Sequence, residues 1–304
     1  MRHIIEVKNL KKSYKDVRAV KDISFYAEEG KLFAFLGPNG AGKSTTIDII
    51  CTFLRADEGE ILVDGLVLGQ QDDQIRRSIG AVFQDGLLDQ LLTVEENLRV
   101  RGSLYGLRGE ALSKAVAAAL ELVGLHALAK RPYGKLSGGQ RRRCDIARAL
   151  VHTPKILFLD EPTTGLDPQT RKAVWDTILT LQKERGMTVF LTTHYMEEAA
   201  DADYVIVIDD GRIAAKGTPA ELRENYASDC LLLSVRDREA VSARLAERQV
   251  LFTEVGGRLK IKLPDTKSAL PLLRLCEDEI DSFEVLSGTM DDAFLGITGK
   301  EMRT

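Results

Sequence analysis

The chain has 304 residues, 44% of them hydrophobic and 29% charged, a composition that suits one large globular domain or two ordinary ones and excludes collagen-like and low-complexity architectures. Lys and Arg number 42 against 46 Asp and Glu, a net charge of -4, which is too even a balance for a protein whose whole surface grips nucleic acid. No apolar run approaches the roughly 18 residues that a bilayer-spanning helix needs. Residues 1–6 carry no apolar signal-peptide region, so the chain is expected to stay in the cytosol. Cys51, Cys144, Cys230 and Cys276 form no CxxC pair, which argues for reduced, mostly buried thiols and against a zinc site or a disulfide framework.

Over residues 1–220 short β-rich runs alternate with helical patterns, and strands are expected at 4–7, 31–36, 81–84, 156–159, 188–192 and 204–209. Several are continuously apolar, as in Ile156-Leu157-Phe158-Leu159, the pattern of parallel strands covered on both faces by helices. This predicts an α/β layered core. Between about 85 and 135 the β signal vanishes: Thr93-Val94-Glu95-Glu96 reads as a capping box, and Leu112, Val116, Leu120 and Val123 recur at helical spacing. A helical subdomain inserted into the α/β core is the reading. Residues 221–304 then form a second, small α+β domain. Its expected elements are a strand at 231–235, a helix at 238–247, a hairpin of 250–255 and 258–263 turning on Gly256-Gly257, a helix at 270–276 and a strand at 280–286. That is the β-α-β-β-α-β order of a ferredoxin-like fold, with Pro271 as the one misfit, inside the second helix.

The chemistry begins at Gly37-Pro38-Asn39-Gly40-Ala41-Gly42-Lys43-Ser44-Thr45, which matches G-x-x-x-x-G-K-[ST] and follows an apolar strand. Glycines there let backbone N–H groups turn inward around phosphate oxygens, and the positive end of the following helix favours the anion. Lys43 would reach the β/γ-phosphates and Ser44 would ligate Mg²⁺. The strand 156–159 ends in Asp160 and Glu161; Asp160 suits a Mg²⁺ or Mg²⁺-water ligand, and Glu161 suits a general base that orients the attacking water. A third signal is Leu136-Ser137-Gly138-Gly139-Gln140, where Ser137 and the glycines would expose a helix N-terminus as a further anion site. Arg141-Arg142-Arg143, which follows, reads as a solvated helical face rather than a nucleic-acid patch.

LSGGQ resembles the signature motif of the nucleotide-binding subunits of ATP-binding-cassette (ABC) transporters, and with the other motifs the likeness spans residues 1 to about 220. The resemblance implies a P-loop NTPase core of the ABC type that binds ATP with Mg²⁺ and hydrolyses it. It assigns Tyr14 to stacking on adenine, Gln84 to contacts with Mg²⁺ and the attacking water, and His194 to the γ-phosphate. Gly165-Leu166-Asp167 is similar to the loop through which two subunits meet, although Thr164-Gly165 stands where the family more often has Ser-Ala. In this family each ATP is held between the phosphate loop of one subunit and the signature of another, so a head-to-tail homodimer is implied.

A motor lacking a spanning segment implies an integral membrane permease subunit as partner, docked near Gln84-Asp85-Gly86-Leu87-Leu88 and holding the chain at the cytoplasmic membrane face. The wording of residues 163–168, 195–199 and 293–299 resembles the exporter branch that includes daunorubicin-resistance ATPases. The expected function is therefore the ATP-hydrolysing motor of a drug or small-molecule exporter, with no nucleic acid bound. An importer ATPase, a non-transport cassette ATPase acting on nucleic acid or ribosomes, and a P-loop kinase are the alternatives.

Overall fold

The computed structural model describes residues 2–84 and 86–299; Asp85, part of the expected docking segment, and residues 300–304 lie outside them. The chain divides into two compact units, with the boundary after Lys216 rather than at 220. The reason is local: the helix Pro219–Tyr226 packs against the helix Met290–Thr298 near the far end of the sequence.

The first unit opens with β1 (His3–Tyr14), β2 (Val17–Glu28), β3 (Leu32–Leu36) and α1 (Lys43–Ile50), followed by β4 (Glu58–Val63), β5 (Leu66–Val67), α2 (Asp72–Ser78) and β6 (Ile79–Val82). Next come α3 (Val94–Leu104), α4 (Gly109–Leu122), α5 (Gly138–Leu150), β7 (Ile156–Asp160), α6 (Pro168–Arg185), β8 (Thr188–Thr193), α7 (Met196–Ala200), β9 (Tyr204–Asp209) and β10 (Arg212–Gly217). A six-stranded sheet has the order β10-β9-β3-β8-β7-β6, with β9, β3, β8, β7 and β6 parallel. Every residue of β3 and β8 is buried, as strands of a parallel sheet covered on both faces are.

A second sheet, β2-β1-β4-β5, is antiparallel and is the main feature that the sequence pattern misses. Strand β1 runs to Tyr14, well past the expected end at 7, because β2 and β4 pair along its polar second half. The short expected strand reflects alternation such as Leu10-Lys11-Lys12-Ser13, in which only Leu10 is fully buried.

The two sheets share one core. Phe25 of β2 reaches across to Phe33 and Phe35 of β3, and Phe190 of β8 has ring centroids 5.2 Å from Phe33, 5.4 Å from Phe158 and 5.7 Å from Phe35. Phe190→Ala would leave a cavity that backbone-bonded neighbours cannot fill. A loss of about 3–5 kcal/mol is expected, read as a lower urea midpoint at unchanged m-value.

Helices α3 and α4 pack on each other and on α5. The Thr93–Glu96 capping box that starts α3 is present in both directions, and Leu112, Val116, Leu120 and Val123 are all buried. All four cysteines are buried free thiols.

The second unit contains α8 (Pro219–Tyr226), β11 (Asp229–Val235), α9 (Arg238–Glu247), β12 (Phe252–Val255), β13 (Arg258–Leu263), α10 (Ala269–Leu275), β14 (Ile280–Leu286) and α11 (Met290–Thr298). Its antiparallel sheet has the order β12-β13-β11-β14, which is the ferredoxin-like topology. Gly256 and Gly257 both have positive φ, 56° and 79°, as a tight type I′ hairpin requires. Pro271 is the third residue of α10, inside the first turn, where a missing N–H costs no helical bond. Gly296 lets α11 approach α8, since a Cβ there would lie 2.2 Å from the Tyr226 carbonyl oxygen.

Candidate active site

Register in the parallel sheet brings four loops to one edge. Leu36 pairs with Thr193 and Asp160 with Thr192, so the phosphate loop after β3, the acid pair at the end of β7 and His194 after β8 lie side by side. Val82 pairs with Leu159, which sets Gln84 level with Glu161. Gln84 is not on a strand, contrary to the sequence expectation for 81–84: β6 stops at Val82, and the next free carbonyl, on Phe83, is taken by the Arg142 guanidinium. Ligand sites at the carboxyl ends of parallel strands are the general rule for such sheets.

Gly42 caps α1 with φ 103°, and a Cβ there would lie 2.5 Å from the Ala19 carbonyl oxygen. Gly42→Ala meets strain in φ and contact at once. A cost of about 1–3 kcal/mol is expected, and the rise in melting temperature on adding nucleotide should vanish with it. Gly37 is equally confined, its Cβ position lying 2.2 Å from the Ile208 carbonyl oxygen. Pro38 and Ala41 shape the loop from behind, and the Ala41 carbonyl accepts the Gly211 N–H at 3.0 Å.

Lys43 is buried, and its Nζ donates to the Gly37 and Pro38 carbonyls at 2.7 and 3.2 Å. Burial lowers its pKa from the usual lysine value, while the charges of Glu161 and Asp160 oppose that shift. The ammonium is thus pre-placed inside the loop, facing two carboxylates. Ser44 Oγ donates to Asp160 Oδ1 at 3.3 Å, and Thr192 Oγ1 donates to the same oxygen.

Glu161 has φ 45°, a left-handed backbone that is uncommon for a residue with a side chain. Its N–H donates to Thr192 Oγ1 at 3.0 Å, Thr164 Oγ1 donates to its Oε2 at 3.1 Å, and His194 Nδ1 stands 3.4 Å from the same oxygen. A cavity of about 340 Å³ is lined by Asn39, Gly40, Lys43, Ser44 and Thr45 from the loop and by Gln84 and Glu161 across from it.

Ser137 caps α5, accepting the Gln140 N–H while Gln140 accepts the Ser137 N–H. The Gly138 and Gly139 N–H groups sit in the open first turn of that helix. None of the residues 137–140 lines the phosphate-loop cavity of its own chain. Gly138 lines a neighbouring cavity of about 280 Å³ together with Gln84, Glu161 and Leu166. Asp167 caps α6 by accepting the Thr170 N–H at 3.0 Å, and hydrogen bonding from Thr170 holds its carboxyl below the usual carboxylate range. Tyr14 ends β1, 46% exposed, with Lys12 Nζ 5.8 Å from its ring centroid; it is not among the residues lining the cavity.

Two residues at the site, Arg142 and Glu198, belong to no motif that marks them as functional. Arg142 is buried rather than part of a solvated face. The available clue is spacing: Arg142, Ile146 and Ala149 recur on one side of α5, so Arg142 falls on the buried stripe. Glu198 of α7 is 3% exposed and accepts hydrogen bonds from Thr163 and Thr193, which tie the segment after Glu161 to the residue before His194.

The ABC transporter family model matches residues 20–164. Among curated proteins, the chain is 38% identical to the daunorubicin/doxorubicin resistance ATP-binding protein DrrA of Streptomyces peucetius, over 97% of this chain and 92% of that one. It is 42% identical to the linearmycin resistance ATP-binding protein LnrL of Bacillus subtilis, over 75% and 74% of the two chains. Among solved structures it resembles the ATP-binding cassette MJ0796, seen as a dimer in a post-hydrolysis state with ADP and Pi, at TM-score 0.64 and 32% identity over 70% of this chain and 98% of that one. With a phosphate loop, an acid pair and an LSGGQ helix on the fold of those cassettes, the chain belongs to the ATP-binding subunits of ABC transporters, the ATPases of that family.

Proposed function

We propose that this chain is the ATP-hydrolysing motor of a multi-subunit exporter of drug-like small molecules, working as a homodimer bound to an integral membrane permease at the cytoplasmic face. The observation that carries the catalytic part is the meeting of the phosphate loop, Gln84 and Glu161 around one cavity. ATP would lie with its phosphates against the N–H groups of Asn39 to Thr45 and Lys43, and with its adenine near Tyr14. Glu161 would accept the proton of the attacking water, with Thr164 and His194 fixing its carboxylate; His194 would also contact the γ-phosphate.

Magnesium prefers hard oxygen ligands and commonly takes one or two protein groups plus substrate phosphates. Ser44 Oγ and Asp160 Oδ1, 3.3 Å apart, with Gln84 lining the same cavity as Ser44, fit that requirement. When bound, the ion would neutralise charge that builds on the phosphate oxygens.

The second half of each site would come from Ser137, Gly138, Gly139 and Gln140 of the other copy, with Asp167 at the contact between copies. No described helix is long and apolar enough to cross a membrane; the proposed reading assigns passage of the substrate to the permease. Export is supported by the near full-length match to a drug-resistance relative, which extends through the second unit.

The test is to purify the chain with its membrane partner in sealed vesicles. Amphipathic drug-like compounds should raise the ATPase rate severalfold and accumulate inside inverted vesicles on ATP addition. Stimulation by nucleic acid with a steep salt dependence would overturn the reading, as would stimulation only by an external solute-binding protein.

A further inference from the structure

Charge alone places Arg141, Arg142 and Arg143 together, yet Arg142 is only 7% exposed. Its guanidinium offers five N–H donors in a fixed planar fork. Nε donates to the Pro162 carbonyl at 2.6 Å, Nη2 to the Asp160 and Glu161 carbonyls at 2.9 Å each, and Nη1 to the Phe83 carbonyl. All four acceptors are main-chain oxygens, so the group fixes backbone and leaves the carboxylates of the site to other partners.

The four carbonyls belong to two loops. Phe83 directly precedes Gln84, and the other three are the acid pair and the residue after it. Glu161 holds φ 45°, a conformation that persists in a non-glycine residue only where its surroundings over-determine it. Arg142 supplies much of that constraint, since it binds the carbonyls of Glu161 and of both its neighbours. The same side chain sits five residues after Ser137 on the rigid rod of α5, so a shift of the signature end of that helix reaches both loops through one guanidinium.

We infer that Arg142 is a positioning residue for hydrolysis, which sets the left-handed turn at Glu161 and the loop carrying Gln84 against the signature helix. This rests on the reading of Glu161 as the base. A lysine has a single ammonium that cannot span acceptors on both loops in a plane, so it is a poor replacement even though it keeps the charge.

The experiment uses the full chain with Arg142→Met, Arg142→Gln and Arg142→Lys, measuring steady-state phosphate release and equilibrium ATP binding. For Met and Gln, kcat should fall about 100-fold, the scale expected when a reacting group is displaced by an ångström, with ATP affinity and KM unchanged because the phosphate loop is untouched. Lys should recover only part of the loss. In a Glu161→Gln background, adding Arg142→Met should lower the residual rate by well under the roughly 100-fold expected in the parent, because the part of its effect that runs through Glu161 is already lost.

Additive losses in the double variant, or an equal fall in ATP affinity, would overturn the proposal by showing a general structural role. So would an unchanged kcat in Arg142→Gln while Glu161→Gln is inactive. If Arg142→Met fails to fold, the comparison of Gln with Lys decides the matter on the same criteria. Wild-type turnover in Glu161→Gln itself would remove the base reading and this inference with it, a result distinct from failure at Arg142 alone.

Discussion

Glu161→Gln is expected to lower ATP turnover about a thousandfold, the middle of the range for removing a general base, and to leave nucleotide affinity as it was. The substitution is chosen to isolate charge. Glutamine keeps the shape of the side chain and an oxygen that can accept the Thr164 hydroxyl, now at 3.1 Å from Oε2, and it leaves the backbone bonds to Thr192 and Arg142 in place. What disappears is the ability to take a proton. A thousandfold corresponds to roughly 4 kcal/mol of barrier, which one correctly placed base can supply. Affinity should hold because, on the proposed reading, the phosphates would be met by Lys43 and by backbone N–H groups of a loop whose geometry rests on Gly37 and Gly42. Phosphate release at saturating ATP and equilibrium binding of ATP check the two halves of the claim. An undiminished kcat would take Glu161 out of the reaction.

Much of this site is legible from sequence because each motif solves a local problem. A phosphate loop needs glycine where φ is positive and where backbone approaches backbone, and Gly42 meets both needs in one residue. An acid at the end of an apolar run is visible because the run itself marks a buried strand. The antiparallel sheet is not visible in this way. Strand β1 pairs along a polar half in which Leu10 alone is fully buried, and β4 opens on three exposed residues. Arg142 and Glu198 fail for a different reason. Each is an ionic side chain whose work is done on main-chain or hydroxyl groups brought from elsewhere in the fold, and no spacing rule reports a carbonyl contributed by a loop about sixty residues away. In both cases the only sequence trace is a charged residue on the apolar stripe of a helix, a local conflict that tertiary contacts resolve.

Ser137→Arg should abolish turnover while the isolated chain binds ATP with unchanged affinity. The argument is geometric. Residues 137–140 do not line the phosphate-loop cavity of their own chain, so enlarging Ser137 cannot obstruct nucleotide entry there. Yet the first turn of α5 presents the Gly138 and Gly139 N–H groups, and Ser137 accepts the Gln140 N–H at 3.4 Å, which leaves its own hydroxyl proton for a phosphate oxygen. An arginine at that position would fill the space that a facing nucleotide enters on the proposed arrangement, and it removes the cap at the helix end. Loss of such a cap costs about 1 kcal/mol, too little to unfold a domain of this size, so the folded chain remains measurable. In the Glu161→Gln background the parent should form an ATP-dependent dimer, seen as a shift in size-exclusion elution, and adding Ser137→Arg should return it to the monomer position. A double variant that still dimerises on ATP, with turnover restored when Glu161 is put back, would place the signature helix outside the nucleotide contact altogether.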